Sequence, residues 1–142
     1  MLNQNPNAVP EPKLSWFTDV KFRQAIAHAV DKETILDMAM NGMGYIQDSP
    51  INMRNDFFLK KDLKTYPYDL DLAHEKLEAA GYKLGADGIR RDPNGNPIEF
   101  DLITNPGVPI RQIVGELFQE DLAALGIKVN FNQIDFNVVV EK

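Results

Sequence analysis

Two histidines, no cysteine and a surplus of carboxylates limit the chemistry open to this sequence. His74-Glu75-Lys76-Leu77-Glu78 starts like a zinc-protease helix, but Glu78 stands where the second His must be. Metal capture needs two ligands one helical turn apart, so the segment reads as a solvated helix face with Glu75 and Glu78 outward. His28 lies one position off an apolar helical stripe, has no assignable Ser or Asp partner, and reads as structural. Asp92, Asn94 and Asn96 open like a calcium loop, yet Pro97 and Ile103 occupy the positions that require Gly and Glu. Turn chemistry accounts for them without an ion. Gly42-Met43-Gly44 follows a helix instead of a strand, which removes a dinucleotide fingerprint. Such a glycine pair still lets a ligand approach the backbone. The abundant carboxylates lack the apolar setting that tunes acid–base pairs. The expectation is a protein that binds, with no catalytic residue, no metal ligand and no cofactor.

Composition narrows the field further. The chain has 142 residues, enough for one domain that buries about two-thirds of its unfolded surface. At 44% hydrophobic and 25% charged residues it is an ordinary globular sequence. Its 15 Lys plus Arg against 21 Asp plus Glu give a net charge of −6, with no basic cluster for phosphates. A nucleic-acid partner is therefore not expected. No apolar run approaches the roughly 18 residues that span a bilayer, so no membrane insertion is expected. Met1-Leu2-Asn3-Gln4-Asn5 has neither the basic nor the apolar region of a signal peptide.

The elements that would position a site follow from period and punctuation. Residues 6–18 hold Pro6, Pro10 and Pro12 and read as a loop. Thr18 or Asp19 caps a helix whose Phe22, Ala25, Ile26, Ala29 and Val30 form one apolar stripe. Asp31 caps a second helix with Ile35, Met38 and Ala39 on its buried side, stopped by Asn41-Gly42. Residues 42–67 form a long connection, and long ordered loops are disproportionately functional. Asp69 or Asp71 opens a third helix bearing Leu70, Ala73, Leu77 and Ala80, closed by Gly81. A hairpin-like insert with Asn94-Gly95 at its turn precedes a strand over 98–104. A fourth helix carries Ile110, Ile113, Val114, Leu117, Phe118, Leu122 and Leu125, and a strand follows at Ile127, Val129 and Phe131. Residues 98–134 are thus a βαβ unit with a parallel pair expected. Residues 135–142 read as a truncated helix start. With only Met1–Asn5 as a further strand, this α/β chain looks like part of a larger lobe.

Several segments, in order, resemble one family. They are Leu2-Asn3-Gln4-Asn5, the run from Asp19 through Arg23-Gln24-Ala25-Ile26 to Asp31 and Ile35, and Asn41-Gly42-Met43-Gly44. Ser49-Pro50, Tyr66-Pro67-Tyr68-Asp69, Leu77-Glu78-Ala79-Ala80-Gly81-Tyr82 and Leu125-Gly126-Ile127-Lys128-Val129 complete the set. Together they cover nearly the whole chain. The sequence resembles the family-5 extracellular solute-binding proteins of ABC importers, which include oligopeptide-, dipeptide- and nickel-binding proteins.

That resemblance implies a fragment of a type II periplasmic-binding-protein lobe, with a short, mostly parallel sheet and flanking helices. Residues 1–142 would form the first half of the second lobe, with 1–5 as a hinge-proximal strand and 19–97 as a helical region. It also implies a role in capturing peptides or similar small solutes for a permease, in the periplasm or outside the cell, soluble or lipid-anchored. Candidate cleft-facing residues are Asn3, Asn5, Gly44, Tyr45, Ser49, Thr104 and Asn105. Thr104 and Asn105 lie at the carboxyl end of a parallel strand, where open α/β sheets bind ligands. Arg23, on its own chemistry, reads as a surface ion-pair partner. A regulatory module with the same fold, fused to a DNA-binding or signalling domain, is the alternative. Exposed sheet edges predict self-association.

Overall fold

A computed structural model describes residues 2–49, 51, 54, 55, 57, 58 and 62–135. The elements run α1 (Lys13–Thr18), α2 (Val20–Ala29), α3 (Lys32–Met40), α4 (Leu70–Ala79), β1 (Lys83–Leu84), β2 (Arg90–Arg91), β3 (Glu99–Thr104), α5 (Pro109–Ala124) and β4 (Lys128–Gln133). Strands β3 and β4 pair in parallel from Glu99 opposite Lys128 to Thr104 opposite Gln133, with α5 as the crossover. The class is α/β.

Three aspartates set the helix starts. Asp19 Oδ1 accepts from the Lys21 N–H at 2.8 Å, Asp31 Oδ1 from Thr34 at 3.0 Å, and Asp69 Oδ1 from Leu72 at 2.8 Å. Each satisfies a donor that the first helical turn leaves open. Left-handed residues supply the stops: Asn41 at φ 51°, Gly81 at φ 90° and Gly126 at φ 77°. Helices α2 and α4 pack closely because Ala25, Ala29 and Ala73 leave room, and all three are fully buried. Phe22, Leu77, Ile98, Phe100, Leu122, Leu125, Ile127 and Val129 complete the core around them.

Four elements depart from the sequence expectations. The segment expected as a loop over 6–18 contains α1, which buries Trp16 and Phe17. Its prolines lie before the first turn, where a missing N–H costs nothing. Glu11 then accepts from both the N–H and the hydroxyl of Ser15. Residues 2–5, expected as a strand, have no strand pairing; Leu2 instead packs against the core. Helix α3 buries none of its residues, and Met38 is 59% exposed where a core contact was expected. Finally, the α5 stripe is buried only toward its end. Leu122 and Leu125 are enclosed, but Ile110 and Val114 are exposed because the helix there borders an open groove.

The hairpin-like insert comprises two turns. Residues 85–89 join β1 to β2, and Asp92–Asn96 forms the next turn, with Gly95 at φ 87°. The truncated helix start over 135–142 lies outside the described residues apart from Asp135.

Candidate functional site

Two depressions stand out among the described residues. The larger is a groove of about 840 Å³ between the N-terminal segment, α2, β3 and α5. Its floor is apolar, with Phe17, Phe100, Phe118 and Phe131, while Asn3, Arg23, Thr104 and Arg111 stand along it. Gly115 brings α5 onto β4: a Cβ at that position would lie 2.3 Å from the Phe131 ring.

Of the sequence-predicted residues, Asn3 and Thr104 share this groove. Thr104 ends β3, where its carbonyl accepts from the Ile134 N–H at 2.8 Å. Asn105 follows it, and its side-chain oxygen accepts from the Arg111 guanidinium, joining the strand end to the first turns of α5. Asn5 stands apart. Its side chain accepts from the Asn7 N–H, and its own N–H donates to Asn3 Oδ1, so local turns occupy both groups. Arg23, expected as an ion-pair partner, donates to the Phe17 carbonyl at 2.7 Å, where it caps the end of α1.

Gly44, Tyr45 and Ser49 do not line the groove. Tyr45 is 84% exposed, Ser49 accepts from the Ile51 N–H, and Gly44 packs over Leu36. Their neighbours Ile46 and Asp48 instead border a second recess of about 520 Å³, beside Asp31, Tyr66 and Tyr68. Burial raises Tyr68 above its usual value, and Asp121 and Asp31 add to that. Burial also pushes the Asp121 carboxyl up, although the Asp31 N–H donates to it at 3.0 Å and opposes the rise. Tyr66 meets His28 edge-on at 5.3 Å, and the Asp69 N–H donates to the His28 carbonyl. The segment before α4 is thus fastened to the end of α2.

The residues that sequence reading set aside turn out to be structural anchors. Asp92 is buried and accepts from the Trp16 indole at 2.9 Å, from the Asn94 and Asn96 N–H groups, and from the Asn96 side chain. Burial alone would raise its pKa, but these hydrogen bonds prevail and hold it below the usual carboxylate value. Its oxygens are thus engaged by the turn and by the indole. Glu78, expected to face outward, bridges the fully buried Arg90 at 3.0 Å. His74 lies 2.7 Å from the same guanidinium. Side chains one turn apart on α4 do grip a cation, but it belongs to the protein. Nothing in the residue pattern marks Arg90 as buried, since a charged residue in a hairpin is normally solvated.

Along the groove stand the Thr104 hydroxyl, the amides of Asn3 and Gln4 and the guanidinium groups of Arg23 and Arg111, beside an apolar floor. Such a set recognises polar backbone or carboxylate groups by hydrogen bonding. No helix among the described residues is long and apolar enough to cross a membrane.

Comparison with known proteins places this geometry. Residues 1–142 match the family model of the bacterial extracellular solute-binding proteins, family 5, middle region. The oligopeptide-binding protein AppA of Bacillus subtilis is 33% identical over 132 residues, covering 89% of this chain and 23% of AppA. Its structure in complex with a nonapeptide superposes with a TM-score of 0.83 at 30% identity, over 89% of this chain and 25% of that one. An oligopeptide-binding protein of Thermus thermophilus, complexed with a pentapeptide, gives 0.74 at 31% identity, over 84% and 20%. NikA of Brucella suis, in complex with Fe(III)-EDTA, gives 0.77 at 28% identity, over 88% and 25%. These neighbours share the type II periplasmic-binding-protein fold, and the relatives named here are described as binding proteins, none as a regulator. The chain spans about a quarter of their length. It belongs to the bacterial extracellular solute-binding proteins, family 5.

Proposed function

We propose that this chain is part of the second lobe of an ABC-importer receptor that captures peptides or similar small solutes and delivers them to a permease. The observation that carries the reading is the agreement in fold with AppA, whose structure holds a nonapeptide. The receptor would work outside the inner membrane, soluble or lipid-anchored, by closing two lobes on the ligand. That role needs hydrogen bonding and shape, with no covalent step and no cofactor.

In this reading the carboxyl end of β3 supplies the contact. Thr104, Asn105 and Asn3 would meet the peptide's backbone groups, and Arg111 would hold Asn105 in place. Titration calorimetry of a family-length polypeptide containing this segment tests the assignment. Thr104→Ala and Asn105→Ala together should weaken peptide binding at least about tenfold, the worth of one or two hydrogen bonds. Unchanged affinity would remove the pair from the site.

The 142-residue chain by itself should associate. Strands β3 and β4 form a two-stranded sheet, and Ile103, Ile110 and Val114 are exposed nearby. Open edges beside apolar surface favour pairing between copies. Sedimentation should show a mass that grows with concentration, and a strictly monomeric profile would contradict it.

A further inference from the structure

The sequence holds two Asn-Gly pairs, Asn41-Gly42 and Asn94-Gly95, and both are exposed. Such a pair can modify itself. The glycine backbone nitrogen attacks the asparagine side-chain carbonyl carbon, closes a succinimide ring and expels the amide nitrogen as ammonia. Water then opens either ring carbonyl and leaves aspartate or isoaspartate. The reaction takes up one water and releases one ammonia, with no oxidant, reductant or cofactor. Glycine favours the attack because no Cβ obstructs its nitrogen. Asn5, Asn96 and Asn105 are barred from it, since each precedes a proline whose nitrogen has no hydrogen to lose.

The two pairs share their chemistry and differ in their surroundings. Asn94 sits in a turn fastened on both sides. The Gly95 N–H donates to the Asp92 carbonyl at 2.9 Å, and the buried Asp92 carboxylate accepts from the N–H groups of Asn94 and Asn96 at 2.9 Å each. Trp16 of α1 holds the same carboxylate. Attack requires the Asn94 backbone to rotate and the Gly95 nitrogen to give up its bond, so the turn must first come off the core. Asn41 has no such anchor. It stops α3 at φ 51° and ψ 39°, where its own N–H and that of Gly42, at 3.3 Å, share the Leu36 carbonyl. A turn bond from the Met43 N–H to the Met40 carbonyl, at 2.9 Å, spans the pair. Helix α3 buries none of its residues, and residues 41–48 are exposed throughout, so opening there disturbs little packing. We infer that Asn41 is a site of spontaneous deamidation, and that the Asp92 turn shields Asn94 from the same reaction. Isoaspartate at position 41 routes the main chain through the former side chain and lengthens it by one carbon, which breaks the left-handed stop of α3. Either product adds a negative charge to a chain already at −6. The Asp31 N–H bond to Asp121, at the other end of α3, stays in place, so the helix frays from its last turn.

The natural chain tests this without substitution. It is incubated in mildly alkaline buffer, folded and in concentrated urea, and mass-spectrometric peptide mapping follows the conversion at each pair. In urea, where neither turn exists, the two should react at comparable rates. In the folded chain Asn41 should react at least about tenfold faster than Asn94, the rate equivalent of the one or two hydrogen bonds that shield the latter. Equal folded rates, or faster reaction at Asn94, overturn the proposal. Asn96→Ala removes both side-chain bonds to Asp92 and should speed Asn94 while leaving Asn41 as it was; an unchanged Asn94 rate refutes the shielding. Hydrogen exchange of the aged chain should be faster over the last turn of α3 and unaltered in β3 and β4. Unaltered exchange in α3 refutes the structural consequence.

Discussion

Asp92 shows how a residue can carry the signature of one chemistry and perform another. Its spacing to Asn94 and Asn96 suggests an ion, yet its oxygens accept from the Trp16 indole, two backbone N–H groups and the Asn96 amide. The dismissal of calcium was legible from Pro97 and Ile103. The partner Trp16, 76 positions away, was not, because sequence spacing carries no information about contacts through the core. Replacing Asp92 with Ala leaves a buried indole N–H and a turn without acceptors. Chemical denaturation should show a loss on the order of 3 kcal/mol, whereas a loss within experimental error would refute the anchoring role. The native carboxyl lies below its ordinary value, so its contribution is present above about pH 4 and is lost as pH falls through the folded value. Arg90, His74 and Glu78 make the same point with opposite charge. The one-turn spacing on α4 was visible, but the guanidinium it holds was not.

At the scale of elements, the βαβ unit, the Asp31 cap and the helix starts at Thr18 or Asp19 and at Asp69 or Asp71 were readable because each rests on local rules of period, cap and stop. The misreadings were non-local. Helix α1 was hidden behind prolines, although it buries Trp16 and Phe17 against the sheet, with Phe17 edge-on to Phe100 at 5.3 Å. The apolar positions of α3 and of early α5 keep helical spacing but are covered only in part among the described residues, so period alone overstated their burial. The turn from α5 to β4 is a tight joint. Gly126 has φ 77°, and a Cβ there would lie 2.6 Å from the Gly88 carbonyl oxygen and 2.5 Å from Leu84. Left-handed strain and a backbone clash act together, so Gly126→Ala should destabilise the chain by about 3 kcal/mol. An unchanged urea midpoint would contradict that packing.

For the whole molecule, the decisive feature is a groove bordered by elements from both ends of the chain, with polar groups gathered where β3 ends. Sequence reading placed Thr104 and Asn105 there from the rule for parallel strands. It could not separate Asn3, which lines the groove, from Asn5, which does not. Nor could it show that Gly44, Tyr45 and Ser49 lie away from that groove, because the connection over 42–67 has no period to fix its path. Family membership rests on the match across residues 1–142, while the transport role rests on relatives about four times as long. A ligand closed between two lobes needs surfaces from both. The central claim is therefore tested most directly by calorimetric titration of mixed peptides, and of nickel, into this chain and into a family-length polypeptide containing it. The account predicts saturable peptide binding by the longer protein and none by the 142-residue chain. A well-folded longer protein that takes up no peptide would contradict it.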